Sequence, residues 1–356
     1  LFSPCKIGKK DRLPDAALTS GSRGVPVKGG AFLQSSVRTE QQLAASPDSE
    51  VHHKPGRLVR FLRQWEIQLM VVPALLFIIV FSYVPMYGVL MAFQDYNIFK
   101  GFLASPWVGF KHFEMFFHAP EFWKVIRNTV VISLLKLLIG FPAPIILALM
   151  LNEIRNRIFK RTIQTISYLP HFLSWVIVAG FVVSMLSTDN GSLNIALMKL
   201  NLIEAPVNFL SLPEYFWTIL VTTGVWKEIG FSSIVYLAAI AGVNPQLYEA
   251  AAMDGASRLR QIFSITIPSI MPVIIVFMIL AIGNLLNAGF DDILLLGANP
   301  VLRDVGDVID TYVYRVGIQN SRYSYATAVG LFKALISVGL LAAANYAARK
   351  SGNSLW

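Results

Sequence analysis

The sequence has one cysteine, Cys5, and five histidines in 356 residues. A single thiol forms no internal disulfide, and no Cys/His cluster has metal-ligand spacing. No apolar run precedes Cys5, which argues against a lipid anchor there. Charge is scarce: 14% of residues are Asp, Glu, Lys or Arg, against about 25% in soluble domains. There is no G-x-x-x-x-G-K-[ST] run to cradle phosphates. No Ser/His/Asp or Cys/His set falls in a plausible pocket. These absences exclude a disulfide scaffold, a zinc protein, and an ATPase or hydrolase acting alone.

What the sequence has in abundance is apolar surface. It is 55% hydrophobic with a mean hydropathy of +0.57, and several runs exceed the roughly 18 residues that cross a bilayer. The pattern predicts an all-α polytopic membrane protein. Spans are expected near 67–93, 126–151, 162–187, 215–243, 268–296 and 326–348. Residues 1–56, rich in Gly, Ser, Pro, Lys and Arg, read as a flexible cytoplasmic tail without a cleavable signal. The first span then acts as an uncleaved membrane signal. The net charge of +9 is accounted for by basic loops on the cytoplasmic side rather than by nucleic acid. Lys54, Arg57, Arg60 and Arg63 precede span one; Arg155, Arg157, Lys160 and Arg161 follow span two; Arg258 and Arg260 precede span five; Arg349 and Lys350 end span six. They agree on six spans with both termini inside. On the outer side, Asp95, Glu114, Glu121, Asp304 and Asp307 offset most Lys and Arg. There Phe110, Phe113 and Phe117 recur at helical spacing, predicting an interfacial amphipathic helix; a docking surface for another protein is the competing account.

One polar stretch organises the chain. Residues 249–268 read EAAAMDGASRLRQIFSITIP between two apolar runs. Asn244-Pro245 is a helix start, and Leu247–Ala252 favours helix. Gly255 ends that helix in a tight turn. Ser257–Phe263 starts a second helix, and Pro268 fits the first turn of the next span. The product is a helix–turn–helix with a small-residue tip that another protein could approach closely. Glu249 offers that partner a carboxylate. The plainer account is an ordinary polar loop.

Glu249, Ala250 and Ala251, then Gly255 after three residues, then Ile265, Ile267 and Pro268 after nine more, resemble the signature of inner-membrane permease subunits of binding-protein-dependent ABC importers. Ile267 stands where Leu is usual, a volume-conserving exchange. The stretches 82–93, 152–175 and 225–243 resemble the branch of the carbohydrate (maltose-type) family that imports complex oligosaccharides, alginate- and pectin-derived ones included. The likeness covers about residues 57 to 350. It implies the type I ABC importer permease fold, six transmembrane helices with interfacial helices, over a 57–356 permease domain whose cytoplasmic coupling loop is 244–268. It also implies partners: a second homologous permease, two ATP-binding cassette ATPases that bind the ATP and Mg, an extracytoplasmic solute-binding protein, and the bilayer. The chain itself is expected to hold no cofactor. The location implied is the bacterial inner (plasma) membrane. Glu249, Ala250, Ala251, Asp254, Gly255 and Pro268 are the expected ATPase-coupling residues. Unlike the larger permease of the maltose branch, the chain has no large inserted outer domain.

The pathway is sought among polar groups inside spans, which are costly in lipid and tend to face a cavity. Counted from Met271, Asn284 lies about 20 Å in at 1.5 Å per residue, and Asn287 one turn further on the same face. Two amides suit hydroxyl-rich ligands because each donates and accepts; helix–helix hydrogen bonding is the equal alternative. The resemblance adds that the same helix lines the sugar site in the maltose branch. Lys136, Lys227, Glu228 and Lys333 are the deep charges. One pair neutralises Glu228 and leaves two cations, which points to an anionic cargo such as a uronate-containing oligosaccharide. Tyr168, Trp175, Trp226 and Tyr236 could stack on sugar rings, although core packing is the commoner role. Asp291 and Asp292 are expected at a solvated helix end near the outer mouth. Three competing readings remain. An ion-driven secondary transporter using Asp291, Asp292 or Glu228 leaves the 249–268 motif unexplained. A membrane enzyme lacks a catalytic constellation. An ABC importer for a non-sugar solute would share the loop.

Overall fold

In a computed structural model the described residues are 65–350. The expected tail, Cys5 and the basic residues before span one lie outside them. The chain divides into two units, 1–73 and 74–356. Among the described residues the secondary structure is helical apart from one isolated bridge, Gln94 to Trp107. Among the described residues five helices are long and apolar enough to cross a membrane, six if a sharply bent pair is one span.

The first of these runs over Gln68–Phe93 and begins as α1 (Trp65–Ile78). Pro85 has no N–H and crowds the carbonyl four residues back, so a π-turn at Ile79–Tyr83 precedes it. On the predicted interfacial stretch, α2 (Lys111–Phe117) buries Phe116 and His112 and turns Phe110 and Phe117 outward. The spacing had singled out Phe110, Phe113 and Phe117; the residue that anchors the helix is Phe116. Its ring meets Phe122, Tyr312, Tyr325 and Phe332.

Span two is α3 (Phe122–Gly140) continued by α4 (Pro142–Glu153). The third predicted span is broken. α5 (Arg157–Tyr168) and α6 (Trp175–Leu186) are bent by 105°. Pro170 denies the backbone one donor, a short 3₁₀ turn follows at Leu169–Phe172, and Ser174 restarts the helix by accepting from the Ile177 N–H. The next span, α7 (Pro213–Ala241), has 29 residues, about 44 Å at 1.5 Å per residue. α5 crosses α7 at Gly230, where an added Cβ would lie 1.9 Å from the Ser167 carbonyl oxygen. Only glycine permits that approach of two backbones.

Three clusters hold the helices together. Phe216 and Leu220 of α7 pack with Ile132, Ala179, Ala288, Ile293 and Leu302. Phe116 and Val125 pack with Ile309, Tyr312, Tyr325 and Val329. Ala148, Tyr236, Ile240 and Ile270 form the third. The fifth span begins ten residues earlier than expected. Arg258–Gln261 and a π-turn at Ile262–Thr266 lead directly into α9 (Ile267–Gly283), with Pro268 in its first turn. It also ends earlier, at Gly283. Residues 284–290 are a loop, α10 (Asp291–Leu296) follows, and α11 (Ile309–Tyr314) precedes the last span, α12 (Tyr323–Arg349).

Candidate functional site: a projecting hairpin and a polar loop between helices

The stretch 244–268 folds as a helical hairpin. α8 (Pro245–Met253) starts at Asn244, whose side chain accepts from the Gln246 N–H at 3.0 Å. Asp254 caps its end. Gly255 turns the chain at φ +75°, with its N–H on the Ala252 carbonyl and the Ala256 N–H on that of Ala251. An L side chain resists that φ, whereas space does not: nothing lies within 4 Å of an added Cβ. Glu249, Ala250, Asp254 and Gly255 are exposed, Ala251 is half-buried, and Met253 is 89% exposed. Tyr248 ties the hairpin to the following span through a 3.0 Å hydrogen bond to Thr266. The result is a projecting hairpin whose tip exposes Ala250, Met253 and Gly255 beside two carboxylates, Glu249 and Asp254.

The second constellation surrounds the loop after α9. Asn284 caps that helix and Asn287 closes a turn onto it, its N–H on the Asn284 carbonyl at 2.9 Å. The two amides therefore do not share a face of one helix, as expected, but flank a turn. Both are exposed, and with Ser133, Lys136 and Phe141 they line a cavity of ≈270 Å³. The buried Ser133 Oγ has no hydrogen-bond partner among the described residues. Asn287 also lines a larger, mostly apolar cavity of ≈670 Å³ with Phe290, Asp310, Tyr314 and Thr327. Non-helical backbone at membrane depth is tolerated where protein or a water-filled cavity satisfies it; the Lys136 Nζ supplies one such bond to the Ala288 carbonyl.

The deep charges do not carry the surplus their depth suggested. Lys136 pairs with Asp292 at 2.5 Å, Lys333 with Asp310, and Lys227 with Glu228 at 3.3 Å. Asp292 is buried on α10, not at a solvated helix end; Asp291 beside it is exposed. Lys333 also reaches the Asn287 side-chain oxygen at 3.5 Å. Two free cations were counted because their acids lie on segments that fold back between the spans. Sequence reading places His171 inside the third span and gives it no role. At the break between α5 and α6 its ring stacks on Phe231 and bonds Glu228 at 2.8 Å, while Lys227 donates to the His171 carbonyl and lies over the Trp175 ring. The signal for it was Pro170 beside a histidine in an apolar run.

The aromatics divide. Tyr236 is buried between Phe141 and Phe277. Trp226 stacks with Phe181 on an exposed face and lines neither cavity. Of the five acids expected on the outer side, three form ion pairs among the described residues: Asp95 with Lys111, Asp304 with Lys124, Asp307 with Arg315. The Lys124 ammonium, by hydrogen bond and charge, holds the Asp304 carboxyl below its ordinary range.

A model of the family described as "Binding-protein-dependent transport system inner membrane component" matches residues 140–352. The polygalacturonan/rhamnogalacturonan transport system permease protein YteP of Bacillus subtilis is 44% identical over 319 residues, 89% of this chain and 98% of that protein. Protein LplB of the same organism is 46% identical over 284 residues, 80% of this chain and 88% of that one. Among solved structures, a chain of a bacterial ABC transporter involved in the import of the acidic polysaccharide alginate superposes with a TM-score of 0.76 at 43% identity, covering 82% of this chain and 98% of its own. A chain of a bacterial alginate ABC transporter in complex with alginate pentasaccharide-bound periplasmic protein gives 0.76 at 42% identity, 83% and 98%.

Proposed function

The chain belongs to the family of inner membrane components of binding-protein-dependent transport systems, and from that membership we propose that it carries an acidic, uronate-containing oligosaccharide into the cell. The observation that carries the cargo class is the likeness to permeases whose names and titles specify polygalacturonan, rhamnogalacturonan and alginate. Hydrolysis of ATP is assigned to two partner ATPases, which dock on the hairpin around Glu249–Gly255. Closure of that pair moves α8 as a rigid body, and Tyr248 and the π-turn pass the motion to α9 and the loop at Asn284–Phe290. A second, similar permease completes the pathway, and an extracytoplasmic binding protein delivers cargo from the outer side. Both termini then lie in the cytoplasm.

In the pathway the exposed amides of Asn284 and Asn287 bind sugar hydroxyls, with Ser133 adding a hydroxyl from the cavity wall. Lys136, Lys227 and Glu228 serve as paired structural charges rather than as direct ligands of a carboxylate. The test is ATPase activity and uptake by the assembled importer in liposomes, with binding protein, over neutral and uronate-containing oligosaccharides. Stimulation by one acidic class is expected. Stimulation by neutral sugars alone discards the cargo assignment, and uptake that follows an ion gradient without an ATPase discards the whole reading.

A further inference from the structure

The helix α5 carries two exposed faces that the transport reading leaves unused. Projected at 100° per residue, Ile158, Phe159 and Ile166 fall on one side, with Thr162 among them. Ile158 is 80% and Ile166 66% exposed. Arg157 and Arg161 fall on the adjoining edge and are exposed, with Arg155 just before the helix; half-buried Lys160 falls on the next side, between Ser167 and Gln164. A third side, through Ile163, Gln164 and Ser167, is the one turned to α7 at Gly230. The 105° break at Pro170 turns α5 sharply away from the direction of α6, so the two cannot both lie along a membrane normal.

No carboxylate among the described residues lies within ion-pair distance of Arg155, Arg157, Lys160 or Arg161. The basic edge continues to the hairpin: Arg155 and Arg258 line one cavity of ≈410 Å³ with Glu153, Tyr248 and Gln261. An apolar stripe beside a basic edge, on a helix steeply inclined to its neighbouring span, fits the boundary between headgroups and acyl chains. The apolar side chains enter the acyl layer and the arginines extend back to the phosphates. A protein partner would need a matching apolar groove and an acidic rim; an anionic leaflet supplies both along its whole surface.

We propose that α5, with Arg155, is an anionic-phospholipid docking helix that seats the coupling hairpin at a fixed depth on the cytoplasmic leaflet. The probe is a fluorophore on Phe159→Cys in a Cys5→Ser chain, assembled with its partner subunits and reconstituted in vesicles. Brominated phosphatidylglycerol carried in phosphatidylcholine is expected to quench it more strongly than brominated phosphatidylcholine, at the same proportion, carried in phosphatidylglycerol. Each basic residue at the surface contributes at most about a fivefold preference. The Arg155→Gln, Arg157→Gln, Lys160→Gln, Arg161→Gln chain should therefore lose most of the difference. Replacing the three arginines by lysine should keep it. A variant that retains ATPase activity in detergent has kept its fold, so its lipid readout stands. Equal quenching by the two lipids in the parent chain overturns the proposal. So does a label that neither lipid quenches, which would place α5 against another protein chain.

Discussion

The pair Lys136–Asp292 decides whether the deep lysines read cargo charge or hold the fold. The two side chains are 25% and 3% exposed and meet at 2.5 Å. At an effective dielectric of about 20 that separation corresponds to roughly 7 kcal/mol of gross attraction, most of it offset by the desolvation of both ions. Removing one partner strands the other. Asp292→Asn leaves an ammonium with only the Ala288 carbonyl and should destabilise the chain by about 3–5 kcal/mol. Lys136→Gln should do the same by stranding a nearly inaccessible carboxylate. The double variant removes both charges and should recover much of the loss. The assay is thermal unfolding of the assembled importer in detergent as a double-mutant cycle, read beside KM for acidic and neutral oligosaccharides. If Lys136 instead binds a cargo carboxylate, Lys136→Gln raises KM for acidic cargo selectively and leaves stability near the parent value. That outcome, or single variants no less stable than the double, would refute the structural role assigned to the pair.

Gly230→Ala places a methyl 1.9 Å from the Ser167 carbonyl oxygen, with backbone on both sides, and should cost about 1–3 kcal/mol or more, seen as a lower unfolding midpoint. Gly255→Val meets no neighbour but must hold a positive φ, a penalty of about 1–2 kcal/mol; ATP hydrolysis should persist while uptake falls, and Gly255→Asn should be milder in both. Glu249→Ala should likewise separate hydrolysis from uptake without lowering the unfolding midpoint, because Glu249 is exposed. Asn287→Ala should weaken uptake through KM in liposomes and leave the hairpin's coupling intact.

Most of the fold was legible because hydropathy and breakers act locally. The caps at Asn244 and Gly255 and five of the spans follow from residues within a few positions of each other. Pro170 and Ser174 carried the break in the third span just as locally, but a long apolar run reads as one helix unless each breaker is given weight. The early end of α9 at Gly283 had the same cause: Asn284, Asn287 and Gly289 interrupt a run that hydropathy averages over.

The error in the charge count was of another kind. Position along a helix gives depth and says nothing of what faces it across the bundle. Asp292 is 156 residues from Lys136, on a half-helix that a helix-only reading had placed at the outer mouth. Asp310 is 23 residues before Lys333, in a segment read as outer. Burying a lysine without a partner costs several kcal/mol, so an unpaired deep lysine in a sequence is better read as evidence for an unseen acid than as evidence for an anionic ligand. By that logic the acidic cargo rests on the relatives alone. The buried Ser133 Oγ, which has no partner among the described residues, and the two exposed asparagine amides are suited to hydroxyls, which acidic and neutral oligosaccharides share. On the proposed reading, discrimination by charge falls to an extracytoplasmic binding protein or to a second permease, and a swap of binding protein alone should carry the cargo preference with it in the liposome assay. Retention of acid selectivity after such a swap would return the charge sensor to the membrane pathway.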